Sequence, residues 1–133
     1  MRVYVAAKFE EKDRVRQMIG VLRNMGHQIT HDWTLEETQF DSSKHEDHPY
    51  YKKCAEADAQ GVMTADVFVI LTSTSGKGLY VEMGMAAAKG LPIIAVGPHF
   101  NSIFYELPNV TKVQTIEAAY VMLEEARKKL AVG

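Results

Sequence analysis

Short, almost uninterrupted apolar runs alternate with stretches whose apolar residues recur at helical spacing, and nothing else in the chain restricts its fold as much. Residues 66–71 (Asp-Val-Phe-Val-Ile-Leu) place apolar side chains at successive positions, so a strand formed here must be covered on both faces. Residues 2–6 read as a first buried strand. From about residue 11 to 25, Val15, Met18, Ile19, Leu22 and Met25 fall at helical spacing, and Gly26 is placed to end that helix. A short strand over 27–30 follows. Residues 31–48 are polar and rich in Asp, Glu, Ser and His, which predicts a long active-site loop.

Pro49 can open a second helix running to about residue 65. The loop 72–78 is rich in Ser, Thr and Gly, and a third helix over 79–89 stops at Gly90. Strands over 92–96 and 110–114 flank a connection with room for one helical turn. A last helix, capped by Thr115, presents Ile116, Ala119, Tyr120, Leu123, Ala126 and Leu130 on one side. The pattern predicts a single domain over residues 1–133. Its expected architecture is a three-layer α/β sandwich with a central parallel sheet of about five strands, flavodoxin- or Rossmann-like.

Composition narrows the function classes. The net charge of −2 and the pI near 6.2 give no footing for a nucleic acid polymer, and the Arg127-Lys128-Lys129 run reads as a solvated face. No stretch approaches the roughly 18 apolar residues that cross a membrane. The single cysteine, Cys54, forbids an internal disulfide and reads as a small core residue, and the chain opens directly into strand. The expectation is a cytoplasmic protein.

Two acids occupy positions where apolar residues belong. Asp58 lies on the stripe Cys54–Asp58–Val62, and Glu82 on the stripe Leu79–Glu82–Ala86. Open parallel sheets bind ligands beyond the carboxyl ends of their strands, and both acids belong near that region. Spacing alone does not separate a catalytic pair from a helix-end acid and a solvated one.

The segment Gly78-Leu79-Tyr80-Val81-Glu82-Met83-Gly84-Met85-Ala86-Ala87-Ala88-Lys89-Gly90-Leu91-Pro92 resembles the Gly-x-x-x-Glu-x-Gly-x-Ala-x-x-x-Gly-Lys-Pro signature of the nucleoside 2-deoxyribosyltransferase family, which includes 2′-deoxynucleoside 5′-monophosphate N-glycosidases. The opening Val-Tyr-Val-Ala-Ala and the helix end Leu-Arg-Asn-Met-Gly-His are also similar to that family. The resemblance implies an N-glycosyl transferase or nucleotide N-glycosidase. In that reading Glu82 is the nucleophile, Tyr4 its hydrogen-bonding phenol and Asp58 the second catalytic acid. Ala6, Ser73, Ser75, Gly76, Lys77, Gly78 and Asn101 are the implied substrate-binding residues. The implied partners are a nucleoside or nucleotide and a free nucleobase, with no metal and no organic cofactor. Asn101 matches a family residue that reaches a neighbouring subunit's site, which implies at least a dimer.

One departure bears on the substrate. Typical transferases carry an Asp six residues before the nucleophile, where this chain has Gly76. Ser75 and Lys77, leading into a helix N-terminus, suit a 5′-phosphate, or the segment is a flexible solvated loop. His31 and the run His45-Glu46-Asp47-His48 show no metal-ligand spacing and read as solvated. Trp33 either stacks on a base or caps the core edge.

Overall fold

The computed structural model describes residues 1–36 and 39–132, so two residues of the polar stretch, 37 and 38, lie outside the described residues. Five strands, β1 (Arg2–Ala6), β2 (Gln28–Ile29), β3 (Val67–Leu71), β4 (Ile93–Val96) and β5 (Val110–Val113), form one parallel sheet in the order β2-β1-β3-β4-β5. The helices are α1 (Lys12–Asn24), α2 (His48–Met63), α3 (Gly78–Lys89) and α4 (Ile116–Val132). β3 and β4 are buried at every position, as their unbroken apolar runs require. α2 and α3 pack against each other, α1 lies against β1 and β2, and α4 lies against β4 and β5. Right-handed crossovers put α1 on the face opposite α3, completing the three-layer sandwich.

Local chemistry sets the element ends. Gly26 and Gly90 take positive φ of 93° and 79°, the left-handed region where a β-carbon is strained. Thr115 caps α4 through its hydroxyl, which accepts from the Ala118 N–H at 3.1 Å. The apolar stripe of α4 stops short of the predicted length: Ala119 and Leu123 are buried, whereas Leu130 is 64% exposed because the helix runs past the sheet edge. The described part of the polar stretch is not a plain loop. It holds 3₁₀ turns at Trp33–Leu35 and His45–Asp47, and α2 starts at His48 with Pro49 in its first turn.

β2 is only two residues long, and this has a consequence at Trp33. The carbonyls of Met1 and Val3 accept from Gln28 and Thr30 along the β1–β2 edge. The next carbonyl in that row, Val5, has no strand residue opposite and accepts instead from the Trp33 indole N–H at 2.7 Å. Trp33 is buried and caps the core edge. Arg16 holds the same turn by donating to the Thr34 carbonyl at 2.7 Å, and Asp32 accepts from the Thr34 N–H.

Candidate active site

The chain leaves β1 towards one side of the sheet and β3 towards the other, so the crevice between their carboxyl ends is the topological switch point. A cleft of about 530 Å³ opens there. Its walls come from the segment after β1 (Lys8, Phe9), the turn after β2 (Trp33, Glu36), α2 (Tyr51, Cys54, Asp58) and the start of α3.

Tyr4 stands on the central strand, fully buried, its ring stacked on Phe68 of β3 with centroids 5.8 Å apart. Its hydroxyl donates to Oε2 of Glu82, which projects from α3 into the cleft. The Glu82 carboxyl is pushed up to about 8, chiefly by burial, with the Tyr4 hydrogen bond pulling it down and the Asp58 and Glu36 charges adding to the rise. Burial, and then the charge of Glu82, hold the Tyr4 phenol far above its ordinary range, so it remains a donor.

Gly61 of α2 makes this packing possible. A β-carbon there would lie 2.8 Å from His31 Cβ and 2.9 Å from two Tyr4 ring carbons. Gly61→Ala is therefore expected to destabilise the fold by about 1–3 kcal/mol despite the higher helix propensity of Ala. Denaturant unfolding checks this; a variant as stable as the parent contradicts the close approach.

Asp58 faces the cleft from α2 and is bracketed by two side chains of the turn after β2. His31 Nε2 lies 3.2 Å from Asp58 Oδ1 and 3.8 Å from Glu36 Oε2. Burial, and then the Glu36 carboxyl beside it, raise the Asp58 carboxyl to about 7, with His31 opposing both. His31 was expected in solvent; the pinned turn at Trp33 instead carries it against Asp58. Glu36 was not anticipated at all. Cys54, expected in the core, is partly exposed and lines the cleft, because the first turns of α2 overhang the end of the sheet.

The remaining candidates fall into three groups. Ser75, Gly76, Lys77 and Gly78 line the cleft, together with Lys8. Ala6 and Ser73 lie buried behind the wall, where the Ser73 hydroxyl accepts from the Ser75 N–H at 3.2 Å. Gly76 has φ of 107°, and a β-carbon there would approach Leu79 Cδ2 to 2.8 Å, so the Asp of typical transferases does not fit this loop as it is folded. Asn101 is separate from the cleft. Its side chain accepts from the Tyr80 hydroxyl at 2.7 Å and donates to the Ser73 carbonyl at 3.2 Å, lining a second groove with Met83, Phe104 and Leu107.

Among the described residues, one group of three metal-ligating side chains has its donor atoms within 4.8 Å of one another: His31, Glu36 and Asp58. The His45–His48 run forms no such group; the two imidazoles pack edge to face 4.9 Å apart. Among the described residues, no helix is long and apolar enough to cross a membrane.

Solved structures similar to this one include a CMP N-glycosidase, BcmB, from Clostridium botulinum, with 19% identity and a TM-score of 0.64 over 93% of this chain and 99% of that one. A 2-deoxyribosyltransferase from Bacillus psychrosaccharolyticus is similar at 17% identity and a TM-score of 0.61, over 90% of each chain. A search of curated proteins found no match. At such identities the likeness bears on the fold. The sequence profile described as nucleoside 2-deoxyribosyltransferase, however, matches residues 3–129, nearly the whole chain. With a glutamate at the switch point and a phenol bonded to it, this match leads to one conclusion: the chain belongs to the nucleoside 2-deoxyribosyltransferase family.

Proposed function

We propose that the protein cleaves the N-glycosidic bond of a (deoxy)nucleoside through a covalent glycosyl-Glu82 intermediate and passes the sugar to another nucleobase. The observation that carries this reading is the Glu82 carboxyl, turned into the cleft and bonded to a phenol that cannot ionise near neutral pH. Glu82 first releases its proton to solvent and reacts as the carboxylate; the C1′–N bond then breaks with its electron pair going to the base, and a Glu82 oxygen bonds to C1′. Asp58 supplies a proton to the departing base. An acceptor base then attacks C1′, Glu82 leaves as carboxylate, and the acceptor's proton returns to Asp58. A carboxylate suits this role because it stabilises an oxocarbenium-like transition state and can also collapse onto it.

A second reading, hydrolysis of a nucleoside 5′-monophosphate, is favoured by one feature. Lys8 and Lys77 both line the cleft beside Ser75 and the N-terminus of α3, where a phosphate would gain cations and backbone N–H groups. The similar structure from Clostridium botulinum is of a CMP N-glycosidase, which acts on a nucleotide by its name.

One incubation separates the readings: a panel of deoxynucleosides, ribonucleosides and their monophosphates, with and without free adenine. Exchange of bases is the expected product pattern. Free base with sugar phosphate moves the function to hydrolysis. Tight binding with neither product makes the protein a nucleotide-sensing module.

A further inference from the structure

We propose that Glu36 is a positioning residue for Asp58: the two carboxyls share one proton, so that Asp58 meets its substrate already protonated. This rests on the reading of Asp58 as the acid that releases the base. The geometry is a trio of polar atoms with no water-exposed surface to speak of. His31 Nε2, Glu36 Oε2 and Asp58 Oδ1 are each shielded from water and face one another, His31 reaching to 3.2 Å from Asp58. They lie within 4.8 Å of one another. Two ionised carboxylates so placed would repel each other with little solvent between them. One proton between them turns that repulsion into a hydrogen bond, the contact that raises the Asp58 carboxyl alongside burial.

The turn that brings Glu36 here is held independently of the trio. Trp33 is tied to Val5, and Thr34 is tied to Arg16 and Asp32. Glu36 follows directly, and its side chain is only 17% exposed. The titratable groups facing Asp58 come from four directions. Glu36 and His31 belong to this turn, Cys54 to α2 itself, Tyr4 to β1 and Glu82 to α3. Of these, Glu36 favours the proton on Asp58 and His31 opposes it.

The test compares Glu36→Gln, Glu36→Asp and Asp58→Asn with the parent over pH 5.5 to 7.5, following kcat/KM on whichever substrate the product panel identifies. The Asp58 carboxyl is titrated in parallel by carbon-13 NMR on aspartate-labelled protein, with Asp58→Asn assigning the signal. Removing the Glu36 charge is expected to lower the Asp58 midpoint by about one unit or more, and each unit is a tenfold change in the protonated fraction. The ratio of Glu36→Gln to parent activity should therefore fall by roughly tenfold between pH 5.5 and pH 7.5. Glu36→Asp, which keeps a carboxyl in the turn, should recover part of both effects. A merely structural role predicts a loss that is the same at every pH.

An unmoved Asp58 midpoint in Glu36→Gln overturns the proposal. So does a parent enzyme that loses activity in chelator and regains it with a divalent cation that also shifts the Asp58 signal, since the trio would then be a cation site. Failure of the underlying reading looks different. If Asp58→Asn stays fully active, Asp58 is not the acid, whatever its midpoint does in Glu36→Gln.

Discussion

Glu82→Ala is expected to lower turnover by on the order of 10⁴-fold or more while the protein remains folded. The carboxylate has two tasks in the proposed reaction, stabilising positive charge at C1′ and forming the covalent bond, and Ala performs neither. Its loss should not unfold the chain. The α3 positions that hold the sheet, Leu79, Met83 and Ala86, are untouched, and removing a carboxyl from a buried setting relieves a desolvation cost. Tyr4 loses its acceptor, a smaller penalty on the order of 1 kcal/mol. Initial rates and circular dichroism check both halves. Mass spectrometry of the parent, quenched with substrate, should also show an added sugar on the peptide containing Glu82. Full activity in the Ala variant refutes the nucleophile.

A second large effect concerns stability. Glu82→Gln should be within about 1 kcal/mol of neutral at pH 5 and stabilising at pH 8 by on the order of 4 kcal/mol, roughly 12 °C in Tm. The sign follows from proton counting. The folded carboxyl sits at about 8, above its ordinary 4.5, chiefly through burial. Between those values the folded chain holds a proton that the unfolded chain has lost, so stability declines as pH rises through that window. Gln mimics the protonated acid and can still accept from Tyr4, so it removes the decline. Asp58 has the same sign, being raised by burial and by Glu36. His27 has the opposite sign: burial lowers it, so its contribution is lost as pH falls below about 6.5. The difference between parent and Gln variant, measured by calorimetry at pH 5 and pH 8, isolates Glu82. An equal difference at both values contradicts the buried, proton-holding carboxyl.

The framework was legible because each element announced itself locally. The unbroken run over 67–71 could only be a doubly covered strand, and Gly26 and Gly90 marked helix ends by the one backbone conformation that other residues avoid. Glu82 and Asp58 stood out by interrupting apolar stripes, and the structure places both on the cleft. What was illegible depends on distance in space. Glu36 and His31 lie in a turn with no periodicity, and their meeting with Asp58 depends on a tryptophan completing the hydrogen bonding of a strand edge. Cys54 was misread for a related reason: its stripe is continuous with Val62 in sequence, but the sheet beneath it ends first. The resemblance grouped Asn101 with the substrate-binding residues, whereas in the single chain it serves Tyr80 and the Ser73 carbonyl.

The two-residue length of β2 has one more consequence. Because that edge strand stops early, the backbone beyond it is moored by an indole rather than by a ladder. Cleft residues that belong to no strand, Phe40 and Tyr51 among them, can thus vary in chemistry without disturbing the phenol and carboxylate seated on the rigid scaffold. Selectivity for one nucleobase over another can diverge there while the bond-breaking apparatus stays as it is.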